Sequence, residues 1–162
     1  MSTLYVDNLQ PNLGSQVEIS DLKPLAGQVV QCVQYYSPNT TGEATTSTSL
    51  IASSISKTIT PKYGNSKIIV QSSVSMGDGQ SAYILAKMYL NGSSMAGASS
   101  YHFGYQDVSH ARYAPFVFQG NYTCTDTSPL TFTVYYKSGN GNSVRITHNA
   151  ASSALTLWEI AQ

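Results

Sequence analysis

The sequence predicts an all-β fold, an antiparallel β-sandwich of jelly-roll type behind an extended N-terminal arm, and three observations carry that prediction. From Gln28 onward, short segments rich in Val, Ile, Thr, Tyr and Phe follow one another, each closed by Gly, Asn, Ser or Pro. Within them apolar residues recur at every second position, the period of a strand with one buried face. No stretch has the three-to-four spacing of a long amphipathic helix, and strong helix formers such as Glu and Lys are sparse. About eight to ten such segments fit two sheets that cover each other's apolar faces.

The first segment is set apart. Residues 1–27 contain Leu4, Val6, Leu9, Leu13, Val17, Ile19, Leu22 and Leu25, too many apolar groups for a solvated tail. Pro11, Gly14, Pro24 and Gly27 interrupt them too often for the segment to fold alone. Residues 1–27 are therefore expected to form an arm that lies on another surface, and 28–162 a single knob. Leu4, Val6, Leu9, Val17, Ile19 and Leu22 are its candidate anchoring residues.

In "KIIVQSSVSM", Ile68, Val70, Val74 and Met76 share one side of a period-two repeat, with Ile69, Gln71, Ser73 and Ser75 on the other. "AYILAKMYL" alternates Ile84, Ala86, Met88 and Leu90 with Tyr83, Leu85, Lys87 and Tyr89, then meets Asn91-Gly92, the strongest short hairpin signal. "GDG" at Gly77 to Gly79 reads as a turn. "LTFTVYYK" puts Leu130, Phe132, Val134 and Tyr136 on one face, and "SVRITH" is expected to return as its hairpin partner across "SGNGN". The last segment, "ALTLWEI", sets Leu155, Leu157 and Glu159 against Thr156, Trp158 and Ile160.

Composition narrows the function. Charged residues are only 10% of the chain, eight basic against eight acidic, and the basic ones are scattered. Nucleic-acid binding draws its affinity from clustered Lys and Arg, so no nucleic-acid partner is expected. No apolar run reaches the roughly 18 residues of a membrane span, so no membrane insertion is expected, and the start lacks the pattern of a signal peptide. Cys32 and Cys124 lack the CxxC spacing of a redox or metal motif.

The chain offers little for catalysis, and the sequence predicts no enzyme, no metal and no cofactor. His102, His110 and His148 have no metal-ligand spacing. Two carboxylates on a sandwich can hydrolyse glycosides, but Glu43, Asp78, Asp107, Asp126 and Glu159 are isolated, and most are expected in loops. The tract "YHFGYQDVSHARYAPFVFQGNY" is dense in aromatics. Tyrosines in a low-charge β domain belong first to core edges and subunit interfaces. A second reading makes Tyr101, Tyr105, Arg112 and Tyr113 the rim of a receptor or saccharide site, with rings stacking on sugars and polar groups supplying hydrogen bonds.

"STLYVDNLQPNLGSQVEI" followed by "LKPLAGQVVQ" resembles the N-terminal segment shared by small fibre and virion-surface proteins of cyanophages and other marine phages, over nearly all of residues 2 to 31. "TPKYGNSKIIV" and "LTLWEIAQ" resemble strand motifs of the trimeric β-sandwich knobs attached to that segment, while Gln80 to Asn121 matches only in style. The resemblance implies a bacteriophage structural protein at the virion surface, on capsid or tail. It implies a homotrimer whose arm attaches to the major capsid protein or another virion protein. No heptads separate arm from knob, which suits a compact capsid decoration or cement protein. A short tail fibre or fibre tip that binds a host receptor or surface glycan is the alternative.

Overall fold

In a computed structural model of the chain, every alternating segment quoted above is a strand. The structure describes residues 24–37, 41–78, 82–95, 113–148 and 153–162, without the side chains of 41, 78, 113–116, 147 and 148. The strands are β1 (Val29–Ser37), β2 (Thr41–Thr45), β3 (Ile51–Ile59), β4 (Lys67–Asp78), β5 (Ile84–Leu90), β6 (Ser93–Ser94), β7 (Tyr113–Thr123), β8 (Leu130–Ser138), β9 (Val144–His148) and β10 (Ser153–Ile160). Among the described residues there is no helix.

One sheet runs β1–β10–β4–β9–β2 with β7 also on β4, and the other runs β3–β8–β5–β6, all antiparallel. The register simplifies the first sheet. β7 takes one edge of β4, while β10 and β9 take successive lengths of the other: Ala154 pairs with Ser73, and Ile146 with Met76. β1 follows β10 and β2 follows β9 in the same way, with Ser37 opposite Ser153 and Thr41 opposite His148. β1 with β2, and β9 with β10, thus run in line as two long ribbons. Counting each ribbon once gives eight strands in the orders 1-8-3-6 and 2-7-4-5, the order of a jelly roll. The Ser75 amide falls between the β10 and β9 ladders, and the fully buried Ser153 accepts its hydrogen bond at Oγ, 3.1 Å away.

The two inner faces share one core. Ile68, Val70, Val74, Met76, Phe118, Val144, Ile146, Leu155 and Leu157 from the first sheet meet Ile55, Ile59, Ile84, Ala86, Met88, Leu130, Phe132, Val134 and Tyr136 from the second. Fully burying one such side chain contributes about 1.5–3 kcal/mol, so the inner positions set the fold.

The Asn91-Gly92 turn joins β5 to β6 as expected, with both residues at positive φ (48° and 77°), as a two-residue hairpin turn of this type requires. The other expected hairpin does not form. β8 pairs with β3 and β5 in one sheet, β9 with β2 and β4 in the other, so residues 139–143 cross the sandwich. Alternation declares which face of a strand is buried, and it is silent on which sheet the strand joins. Gly77 and Asp78, expected in a turn, instead end β4 opposite Arg145 and Val144.

The ladders give the sandwich two poles. Residues 24–28, 60–66, 91–92, 124–129 and 161–162 gather at one end, and residues 46–50, 82–83, 139–143 and the start of β7 at the other. From Lys67 to Gly77 along β4 the separation is roughly 33 Å at about 3.3 Å per residue.

Candidate functional site

The first pole is where residues 24–28 join the sandwich. The Gly27 amide donates to the Ala161 carbonyl at 2.8 Å, and the Ala161 amide donates to the Gln28 carbonyl at 2.9 Å. The Gln28 amide closes a turn on the Leu25 carbonyl at 3.0 Å, with Gly27 at φ +87°, where a Cβ would be strained. Pro24 reaches past the chain end and, with Tyr63, Asn65, Ala161 and Gln162, lines an open cleft of about 200 Å³. Leu25 is 72% exposed.

Glu159 fastens this pole from inside. Its alternation with Leu155 and Leu157 turns it inward, and it is fully buried. Lys62 donates its amide to Oε1 at 2.8 Å, Tyr63 its amide at 3.0 Å, Ser66 its hydroxyl at 2.8 Å, and Gln31 its Nε2 to Oε2 at 2.6 Å. Burial alone would raise the Glu159 pKa, but these donors outweigh it and hold the carboxyl below its usual value. The buried carboxylate thereby joins β10, β1 and the turn before β4. Donors from four residues satisfy its two oxygens, as a buried carboxylate requires. Nearby, burial pushes the Cys124 thiol pKa up, the Ser66 hydroxyl opposes this, and the Glu159 and Asp126 charges add to it. Burial is the leading cause, so the fold disfavours the thiolate.

Among the described side chains, no buried acid closes the opposite pole. Tyr83 donates its hydroxyl to the Gly139 carbonyl at 2.6 Å, and the Gly139 amide donates to the Tyr83 carbonyl at 2.8 Å. A Cβ on Gly139 would sit 1.6 Å from the Tyr83 ring, so only glycine fits against it. Ser138 donates its amide to Ser47 at 2.8 Å and accepts the Gly141 amide at 3.0 Å. Between the sheets near this end, Glu43 on β2 accepts the amide and hydroxyl of Ser54 on β3. Burial, with the Glu43 charge as a lesser cause, pushes the Tyr136 pKa up to about 12.

The carboxylates were expected mostly in loops, and the structure corrects this. Glu43, Asp78 and Glu159 are strand residues, while Asp126 sits in a loop and accepts the Ser128 amide at 2.7 Å, which holds its pKa down. Glu159 is the residue whose role was missed. Its inward register was visible, but its donors come from as far as 128 positions away. Among the described residues, no three His, Cys, Asp or Glu side chains come together as a metal site would need. Both described cysteines are free thiols, Cys32 exposed and Cys124 buried.

Leu4, Val6, Leu9, Val17, Ile19 and Leu22 lie outside the described residues, as do Tyr101, Tyr105, Arg112, His102, His110 and Asp107. Tyr113 is described in its backbone, which opens β7 opposite Gly77 at the second pole. No protein-family profile matches the chain, and no curated protein is similar to it.

Proposed function

We propose that this chain is a bacteriophage virion structural protein, a homotrimeric surface spike whose N-terminal arm holds it on the major capsid protein or another virion protein as a capsid decoration or cement protein. One observation carries this reading: residues 24–28 are pinned beside the chain end at one pole by Gly27, Gln28 and Ala161, so the apolar arm leaves from a single fixed point. The opposite pole, roughly 33 Å away along β4, is left to face outward. The resemblance of residues 2 to 31 to phage attachment segments supports the same division of labour.

In this reading the arm binds by burying Leu4, Val6, Leu9, Val17, Ile19 and Leu22 while its backbone extends a neighbouring sheet. At about 25 cal/mol per Å² of apolar surface, a few such side chains contribute several kcal/mol per arm, and three arms on one spike multiply the effect through avidity. Deleting residues 1–23 keeps the turn at Leu25–Gln28 and tests the idea. The truncated protein is expected to stay folded and assembled yet to lose co-sedimentation with particles; undiminished co-sedimentation refutes arm anchoring.

A second reading, a short tail fibre or fibre tip that binds a host receptor or surface glycan, is favoured by one position. The aromatic tract rejoins the sandwich at Tyr113, opposite Gly77 and far from the arm's root. Glycan binding that disappears with Tyr105→Ala and Arg112→Ala would support it, and enrichment of the protein at the tail instead of the capsid lattice would decide for it.

A further inference from the structure

The two sheets turn very different outer faces to solvent. On the β3–β8–β5 sheet, Tyr89 and Tyr135 stack with ring centroids 3.9 Å apart, flanked by Lys87 and Lys137. On the other sheet the outward positions fall into cross-strand rows. Cys32, Trp158, Ile69 and Asn121 form one row, Gln34, Thr156, Gln71 and Gln119 the next, and Tyr36, Ala154, Ser73 and Val117 the third. No charged side chain stands in these rows; Lys67 flanks them at one end and Arg145 at the other. Val117 and Tyr36 are nevertheless 60% and 57% exposed.

We infer that this face is where copies of the chain meet around the three-fold axis of the spike, its occupant being a second copy of the chain. The assignment rests on the reading of the protein as a self-assembling spike. Charge and chemistry favour a copy over a different partner. A charged face repels its own copies where they converge on an axis, while this one lacks charge, and its middle row of amides and hydroxyls both donates and accepts, so it can satisfy polar groups of either kind on a neighbouring copy. Charge-depleted centres with aromatic anchors are the mark of interface cores, and Trp158 stands in the row next to the amides. Three such rows across four strands about 4.8 Å apart span on the order of 400 Å² in projection, about half of the roughly 800 Å² per partner of a standard interface.

The face carries its own reporters. Trp158 is the single tryptophan of the chain, and Cys32 is directly opposite it in the ladder, while the other thiol, Cys124, is buried. The test uses the full chain, with light scattering for mass and maleimide labelling of Cys32 across a dilution series. Labelling is expected to be about tenfold slower in the assembled protein than in the diluted one, because access limits thiol reactivity. Trp158 emission should move to the red on dilution. Gln71→Glu and Ile69→Glu should weaken association by about a hundredfold, since carboxylates brought together in an interface repel and lose water.

An assembled protein in which Cys32 reacts at the diluted rate and Gln71→Glu still assembles refutes this face and leaves the spike reading intact. A monomer at every concentration refutes both. Protection of Cys32 that disappears on deletion of residues 1–23, with the mass unchanged, assigns the face to the arm and overturns the inference.

Discussion

The two poles of the sandwich are closed by different chemistry. At the pole where residues 24–28 join, a fully buried carboxylate, Glu159, collects donors from β1 and from the turn before β4. At the other, a tyrosine ring fills the space over a glycine, and serine hydroxyls finish the turns. The first closure depends on charge and on residues far apart in sequence, whereas the second depends on shape and short turns. In the anchoring proposed above, the pole that carries the arm gains from the first kind, because its ties link several elements at once.

The contrast is broken most severely by Glu159→Ala. It leaves the Lys62 and Tyr63 amides without this acceptor and the Gln31 side chain with the Thr60 carbonyl alone, and a loss of about 1–3 kcal/mol for each of the two amides is expected in denaturant unfolding. Glu159→Gln keeps the shape, and a clearly smaller loss would show that the charge is only part of the tie. At the opposite pole Gly139→Ala drives a Cβ into the Tyr83 ring, with an expected cost of about 1–3 kcal/mol. A neutral outcome would mean that the ring swings away freely.

Acid and alkali separate the poles by smaller shifts. Because the folded Glu159 carboxyl titrates below 4.5, its contribution is fully present above that pH and is lost as pH falls from there toward its folded value. Hydrogen exchange at Lys62 and Tyr63 should therefore accelerate first in acid, relative to Gly139. Tyr136 behaves in the opposite sense. Its neutral form is favoured in the fold, so its contribution holds below pH 10.0 and is lost as pH rises toward about 12. The smallest effect is expected for Tyr83→Phe, which removes one hydrogen bond to Gly139 at about 0.5–1.5 kcal/mol while keeping the ring.

Much of this architecture is legible in alternation alone. The inward sets of β4, β5, β8, β9 and β10 follow from period two, and Asn91-Gly92 declares its own turn. The separation of β8 from β9 into different sheets is not legible, because a five-residue link serves a hairpin or a crossing equally well and the deciding partners, β2 and β4, are remote in sequence. Glu159 shows the same limit within a site. Its inward position is local information, but the groups that make a buried carboxylate tolerable arrive from Gln31 and from the turn at Lys62 to Ser66. The candidate anchoring and rim residues rest on composition and resemblance, and nearly all of them lie outside the described residues.

The shared edge of β4 has a consequence for how this sheet can open. β4 pairs with β10 as far as Ser73 and with β9 from Met76, so two separate segments occupy one of its edges. The Ser75 amide between them is held by the buried Ser153 hydroxyl oxygen. Each segment can therefore loosen from β4 without unzipping the other, which divides this edge into two units that open independently.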